Sequence, residues 1–148
     1  MFIRNTMQIQ DILTQKDNEV FTIEPTKSLI FAVKEMYKKR VGALLVESKT
    51  GEPVGILTER DVLRFYAKQS GDANQVTVAE VMTKKLFVET LDSTVDKAKF
   101  VMTTKRIRHL PIVDNGKVIG IISIGDLVKA KLAETAVEAK YLNDYIAS

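Results

Sequence analysis

Two short runs carry a glycine, a hydroxyl and a carboxylate in the same order: "GILTERD" at residues 55–61 and "GIISIGD" at 120–126. Thr58 stands three residues before Asp61 and Ser123 three before Asp126, the spacing of a helix capping box, in which an N-cap hydroxyl accepts from a backbone N–H three residues on. The same geometry could serve a ligand. A helix N-terminus offers N–H groups and the positive end of its dipole to a phosphate, and a carboxylate can accept two hydrogen bonds from ribose hydroxyls. Gly55 and Gly120 would let another backbone approach closely or mark a strand irregularity. Arg106, Arg108 and His109 form one dense cationic cluster, and a guanidinium fork pairs well with phosphate oxygens. Alternate residues of a strand share a face, so Arg108 and His109 point oppositely.

The elements that must position these groups come from a duplication. "VFTIEPTKSLIFAVKEMYKKRVGALLV" from Val20 aligns without a gap to "LFVETLDSTVDKAKFVMTTKRIRHLPI" from Leu86, an offset of 66 that drops to 65 beyond the next loop. Upstream, "IQDILT" (9–14) echoes "VAEVMT" (78–83). Two copies argue for a paired module and against a solenoid, which needs at least about three. Each copy reads β-α-β-β-α. A lead-in strand ("EVFTI", "KLFVE") precedes a helix with apolar residues three and four apart, such as Leu29, Ala32, Val33 and Met36. Two apolar runs follow, split by "KTGE" or "DNGK"; Asn115-Gly116 is a strong hairpin signal. A second helix begins near Asp61 or Asp126. These spacings place the first repeat at 7–66, a small and polar linker at 67–77, the second repeat at 78–132 and a helical extension at 133–148. The fold class expected is α+β. Each half alone, at about 60 residues, would be marginal.

Composition narrows the chemistry. The 148 residues are 45% hydrophobic and 28% charged, with a net charge of +3, no cysteine and one histidine. Thiolate catalysis, disulfides and Cys-ligated metals are excluded, and acidic residues are scattered singly, so no catalytic constellation is expected. The opening "MFIRNTMQIQ" lacks a secretory layout and no run reaches the roughly 18 apolar residues of a membrane span. The expected setting is the cytoplasm, without a membrane partner.

In their order and their double occurrence, these motifs resemble the CBS-domain family, named for cystathionine β-synthase, arranged as a tandem (Bateman) pair of the stand-alone bacterial or archaeal type. "VMTKKLFVE" and "RIRHLPIVD" support the resemblance, which covers roughly residues 7–132. It implies two repeats packed through their sheets with pseudo-twofold symmetry, and clefts for adenosine-containing ligands: AMP, ADP, ATP, NAD-type dinucleotides or S-adenosylmethionine. No obligatory cofactor is implied. By the resemblance, Asp61 and Asp126 hold ribose, Thr58 and Ser123 contact ribose or phosphate, and Arg108 and His109 reach phosphates with Arg106 beside them. Thr22, Ile23, Val88 and Leu91 line an adenine pocket. Gly42 and Ala43 stand where the second copy has Arg108 and His109, and Arg60, in the place of Gly125, would supply the missing charge. Unequal sites are therefore expected, with the second copy the better phosphate binder.

The leading functional class is a regulatory nucleotide-binding module, as a homodimer and with a regulated protein that the sequence does not name. A scaffold that binds no nucleotide is the alternative. Nucleic-acid binding through "YKKR" and "TTKRIRH" is the third class and is not expected, because both runs fall at the same structural junction. The tail from Leu127 carries Val128, Leu132, Ala136, Val137, Tyr141, Leu142 and Tyr145 at helical spacing, a stripe that either packs on its own domain or covers a dimer seam.

Overall fold

Ser28 and Thr94 open the first long helix of each copy: the Ser28 hydroxyl accepts from the Phe31 N–H at 3.2 Å and that of Thr94 from Lys97 at 3.0 Å. In the computed structural model, which describes residues 7–16 and 19–147, the elements are α1 (Ile9–Gln15), β1 (Thr22–Ile23), α2 (Leu29–Lys39), β2 (Ala43–Glu47), β3 (Pro53–Thr58), α3 (Glu59–Lys68), α4 (Val78–Val81), β4 (Glu89–Thr90), α5 (Val95–Lys105), β5 (His109–Asp114), β6 (Lys117–Ser123) and α6 (Ile124–Ala147). Helices α2 and α5 bury matching positions, Leu29, Ala32 and Met36 in one and Val95, Ala98 and Met102 in the other. Both end on an arginine in the left-handed region, Arg40 at φ 57° and Arg106 at φ 56°. The basic runs "YKKR" and "TTKR" thus finish helices, where cations meet the negative end of the dipole.

Each copy forms a three-stranded sheet, β1-β2-β3 and β4-β5-β6, with a parallel first pair and an antiparallel second. Asn115 and Gly116, both at positive φ, close the β5–β6 hairpin, as that dipeptide requires. The lead-in strands are shorter than expected, and the two differ. Thr22 pairs with Leu45 and the Leu45 N–H donates to the Phe21 carbonyl at 3.0 Å, whereas the second ladder begins one step later, at Glu89 and Ile112. Pro111 occupies the place of Leu45 and has no N–H to donate.

The chain divides into two compact units, Glu19–Val88 and Met1–Asn18 together with Glu89–Ser148. Each takes in the segment that precedes the other copy in sequence. Of the expected linker, 67–77, the first two residues end α3 and later ones are bound to α2. The N–H groups of Leu29 and Ile30 donate to the carbonyls of Val76 (2.8 Å) and Ala73 (3.0 Å), which satisfies two orphan donors at the start of α2, and Ala73 and Val78 join Leu29, Leu44, Leu57 and Phe65 in that unit's core. In the other unit Val95 N–H donates to the Met7 carbonyl at 3.0 Å and α1 buries Ile9, Ile12 and Leu13. Helix α6 is continuous for 24 residues, and Leu127 is its buried residue; the expected extension at 133–148 carries on the second helix of the repeat without a break.

Candidate functional site

The first "GxxTxxD" run turns from β3 into α3 at Thr58, whose backbone is extended. Thr58 and Asp61 form a reciprocal capping box: Asp61 N–H donates to Thr58 Oγ1 at 3.3 Å, and Thr58 N–H and Oγ1–H donate to Asp61 Oδ2 at 3.0 and 3.1 Å. The other oxygen is also taken. Thr83 Oγ1–H donates to Asp61 Oδ1 at 2.9 Å, and Arg64 Nη1 lies 3.4 Å from it. Asp61 is 3% exposed, a buried carboxylate whose two oxygens are both engaged, as burial of a charge demands. Arg60, next to it on α3, is exposed.

The second run repeats the box but not its surroundings. Ser123 N–H donates to Asp126 Oδ2 at 2.8 Å and Asp126 N–H to Ser123 Oγ at 3.1 Å. Lys16, 110 residues away, brings its ammonium to 2.6 Å from Asp126 Oδ2 and donates to the Ile121 carbonyl, also at 2.6 Å. Asp126 Oδ1 accepts no hydrogen bond from the described residues, and the side chain is 22% exposed. Burial pushes the Asp126 pKa up, but the hydrogen bond and charge of Lys16 and the Ser123 N–H outweigh it and hold the carboxyl below its ordinary value.

The structure gathers four of the expected residues at the start of α6. Ile124 N–H donates to the Arg108 carbonyl at 2.9 Å, His109 pairs with Ser123 across the ladder, and Asp126 lies in the first turn. Arg108 is exposed on the bend before β5, and His109, the first residue of β5, is half-buried. Arg106 closes α5 two residues earlier. In the first unit Glu59 N–H donates to the Gly42 carbonyl at 3.0 Å in the same way, so the backbone is duplicated while Arg108 and His109 are not. Thr22 is exposed and lines a cavity of about 450 Å³ with Glu24, Lys27, Phe31 and Glu47; Ile23 also borders it, though its side chain belongs to the core. Val88 is exposed on irregular chain, and Leu91 gives its carbonyl to the Gln10 N–H at 3.1 Å.

The two glycines answer to protein, not to space beside a ligand. A Cβ on Gly55 would lie 2.7 Å from both Met82 Sδ and the Thr83 carbonyl oxygen, and one on Gly120 would lie 2.9 Å from Leu13 Cδ2. Lys16, Thr83 and Arg64 carry no motif of their own. The matching "ILT" and "VMT" ends hinted at Thr83, but nothing marked Lys16, because its role depends on folding next to the second copy.

Comparison with known proteins settles the family. The CBS-domain model matches residues 9–68 and 78–133. The chain belongs to the CBS-domain family. Its CBS repeats are also found in the mitochondrial CBS domain-containing protein CBSX3 of Arabidopsis thaliana, 42% identical over 120 residues; the match takes in 78% of this chain but 58% of that relative's length. The crystal structure of the CBS-domain containing protein ATU1752 from Agrobacterium tumefaciens superposes with a TM-score of 0.82 at 35% identity, over 88% of this chain and 98% of that one. A third likeness is to the CBS domain pair of protein MJ0100 in complex with 5′-methylthioadenosine and S-adenosyl-L-methionine, TM-score 0.77 at 25% identity, covering 88% and 99% of the two chains. CBS domains are regulatory modules, and no catalytic family is indicated. Among the described residues no helix is long and apolar enough to cross a membrane.

Proposed function

We propose that this CBS pair is a cytoplasmic regulatory module that binds an adenosine-containing ligand at the Ser123–Asp126 end of α6 and passes the occupancy on to a partner protein through a shift in conformation. The observation that carries this reading is the contrast between the two carboxylates. Asp126 is part-exposed with one oxygen accepting nothing from the described residues, at a helix N-terminus beside Arg108, whereas both oxygens of buried Asp61 are engaged. Ribose hydroxyls suit Asp126 Oδ1, and a phosphate suits Arg108, His109 and the N–H groups of α6. AMP, ADP, ATP and NAD(H) are the candidate ligands. The MJ0100 pair, bound to two adenosine compounds, supports the chemical class. Thr58, Arg60 and Asp61 form the weaker second site; Thr22, Val88 and the backbone of Ile23 are the groups proposed for adenine in the one unit, and Leu91 in the other. A ligand moves the equilibrium only by its difference in affinity between the two conformations.

Thermal unfolding with AMP, ADP, ATP, NAD, NADH and S-adenosylmethionine tests this. A ligand at a hundred times its Kd adds about 2.7 kcal/mol, a rise of roughly 5–11 °C for a chain near this size. The rise should vanish in Asp126→Ala and persist in Asp61→Ala if that variant folds. No rise with any of the six refutes the reading and favours the scaffold alternative.

Homodimer formation through α6 is the second part of the proposal. Val128, Leu132, Thr135, Ala139, Leu142 and Ile146 recur at alternating four- and three-residue steps, the heptad seam of paired helices, and all six are exposed. Half-buried Ala130, Glu134 and Glu138 instead share the face of buried Leu127, so the seam stands clear of the repeat's own core. Light scattering on wild type and on Leu132→Lys with Leu142→Lys tests it: a dimer that becomes a monomer supports the seam, and an unchanged mass refutes it.

A further inference from the structure

The ammonium of Lys16 occupies the oxygen next to the one on which the proposed ribose contact depends. Its two partners are Asp126 Oδ2 and the Ile121 carbonyl, both at 2.6 Å, and its side chain is 34% exposed. Such a contact is charge-assisted and short, and at this exposure neither ion suffers full desolvation. In the first copy no lysine from the preceding segment meets the carboxylate: the partner from that segment is the neutral hydroxyl of Thr83, at 2.9 Å, and the cation is Arg64 of the same helix, at 3.4 Å. Thr14, the counterpart of Thr83, turns its hydroxyl to the Gln10 carbonyl within α1, at 2.6 Å. Lys16 fills the place that Thr14 leaves.

We propose that Lys16 is an internal competitor for the second site, a cationic latch on Asp126 that a ribose must loosen before both carboxylate oxygens can face its hydroxyls. The inference rests on the reading that Asp126 binds ribose. A carboxylate that gives up its Lys16 contact on binding loses that interaction from the affinity, by the same linkage that governs any competing equilibrium.

Calorimetric titration with adenosine and with AMP, on wild type, Lys16→Met, Lys16→Gln and Asp126→Ala, tests the latch. Methionine keeps the apolar stem and removes the charge, so the lead-in can stay packed. Adenosine should bind Lys16→Met about threefold to tenfold more tightly than wild type, the range expected for releasing a part-exposed ion pair, and Lys16→Gln should fall between them. Equal or weaker adenosine binding by Lys16→Met, while wild type binds and Asp126→Ala does not, overturns the latch and leaves the ribose reading standing. Weaker AMP binding with adenosine unchanged makes Lys16 a phosphate contact and likewise overturns it. Binding by Asp126→Ala equal to wild type, or no binding by wild type, removes the reading and the latch together.

Discussion

Gly55→Ala separates a glycine kept for a ligand from one kept for the protein's own chain. The added methyl carbon would lie 2.7 Å from the Thr83 carbonyl oxygen and 2.7 Å from Met82 Sδ. The thioether can swing away; the backbone oxygen cannot. Relieving the contact requires a shift of about 0.7 Å, because ordinary van der Waals contact begins near 3.4 Å. Thr83 is held to Ile56 by two backbone hydrogen bonds, both 2.9 Å, and the shift stretches each to about 3.6 Å, beyond useful length. Two such bonds contribute roughly 1 kcal/mol each, and the crowding itself costs about 1–3 kcal/mol. The stiffer unfolded chain returns about 0.4–1 kcal/mol. The net expectation is about 3 kcal/mol, or roughly 6–12 °C in Tm. Gly120→Ala is the control, because its Cβ meets the end of the Leu13 side chain, which can rotate, so about 1 kcal/mol or less is expected. Urea unfolding of both variants, with amide exchange at Ile56 and Thr83, measures the difference. A Gly55→Ala loss below about 1 kcal/mol, or the same loss in both variants, refutes the packing argument.

Asp61→Ala should cost about 2–4 kcal/mol, because it strands the Thr58 and Thr83 donors in a buried place, while Asp126→Ala should cost about 1 kcal/mol; denaturant midpoints that reverse this order contradict the assignment of roles. The lowered Asp126 pKa gives a second test. A carboxylate depressed on folding contributes stability that is complete above its unfolded value, near 3.8, and is lost as pH falls through the lower folded value. The stability gap between wild type and Asp126→Asn should therefore be level from about pH 5 to 7 and close below about pH 4, and a gap that widens on acidification contradicts it. Expressed alone, residues 19–88 should give a cooperative unfolding transition and residues 7–66 should not, because only the first fragment holds Ala73, Val78 and Thr83. Circular dichroism on the two fragments decides it.

What the sequence made legible was local. The capping boxes at Thr58 and Ser123, the Asn115-Gly116 hairpin and the buried stripes of α2 and α5 are where spacing puts them, since each depends on residues no more than about a helical turn or two apart. The features that the sequence left unmarked depend on distant chain. Residues 67–77 look like a linker because they are small and polar, and two of their carbonyls also close the start of α2. The lead-in "KLFVE" carries the same pattern as "EVFTI", yet its ladder begins one step later, opposite a proline more than twenty residues away. The glycines were legible as places of close approach, but not the neighbour that approaches. Of the candidate site, the four residues at the start of α6 were readable, and the lysine that meets one of them was not.

Duplicated sequence has given duplicated backbone and two different carboxylates, and the cause is a change of partner in the lead-in segments. Where the third partner is a threonine hydroxyl, the carboxylate can sink to 3% exposure, because its neutral donors bring no second large desolvation cost and Arg64 balances the charge from a half-exposed position. Where the partner is a lysine, keeping the ammonium hydrated holds the pair near the surface, at 34% and 22% exposure, and a pair at the surface can be exchanged for another partner at small cost. Exchanging Thr83 and Lys16 in kind, rather than altering either aspartate, is therefore the change that should make the two halves alike.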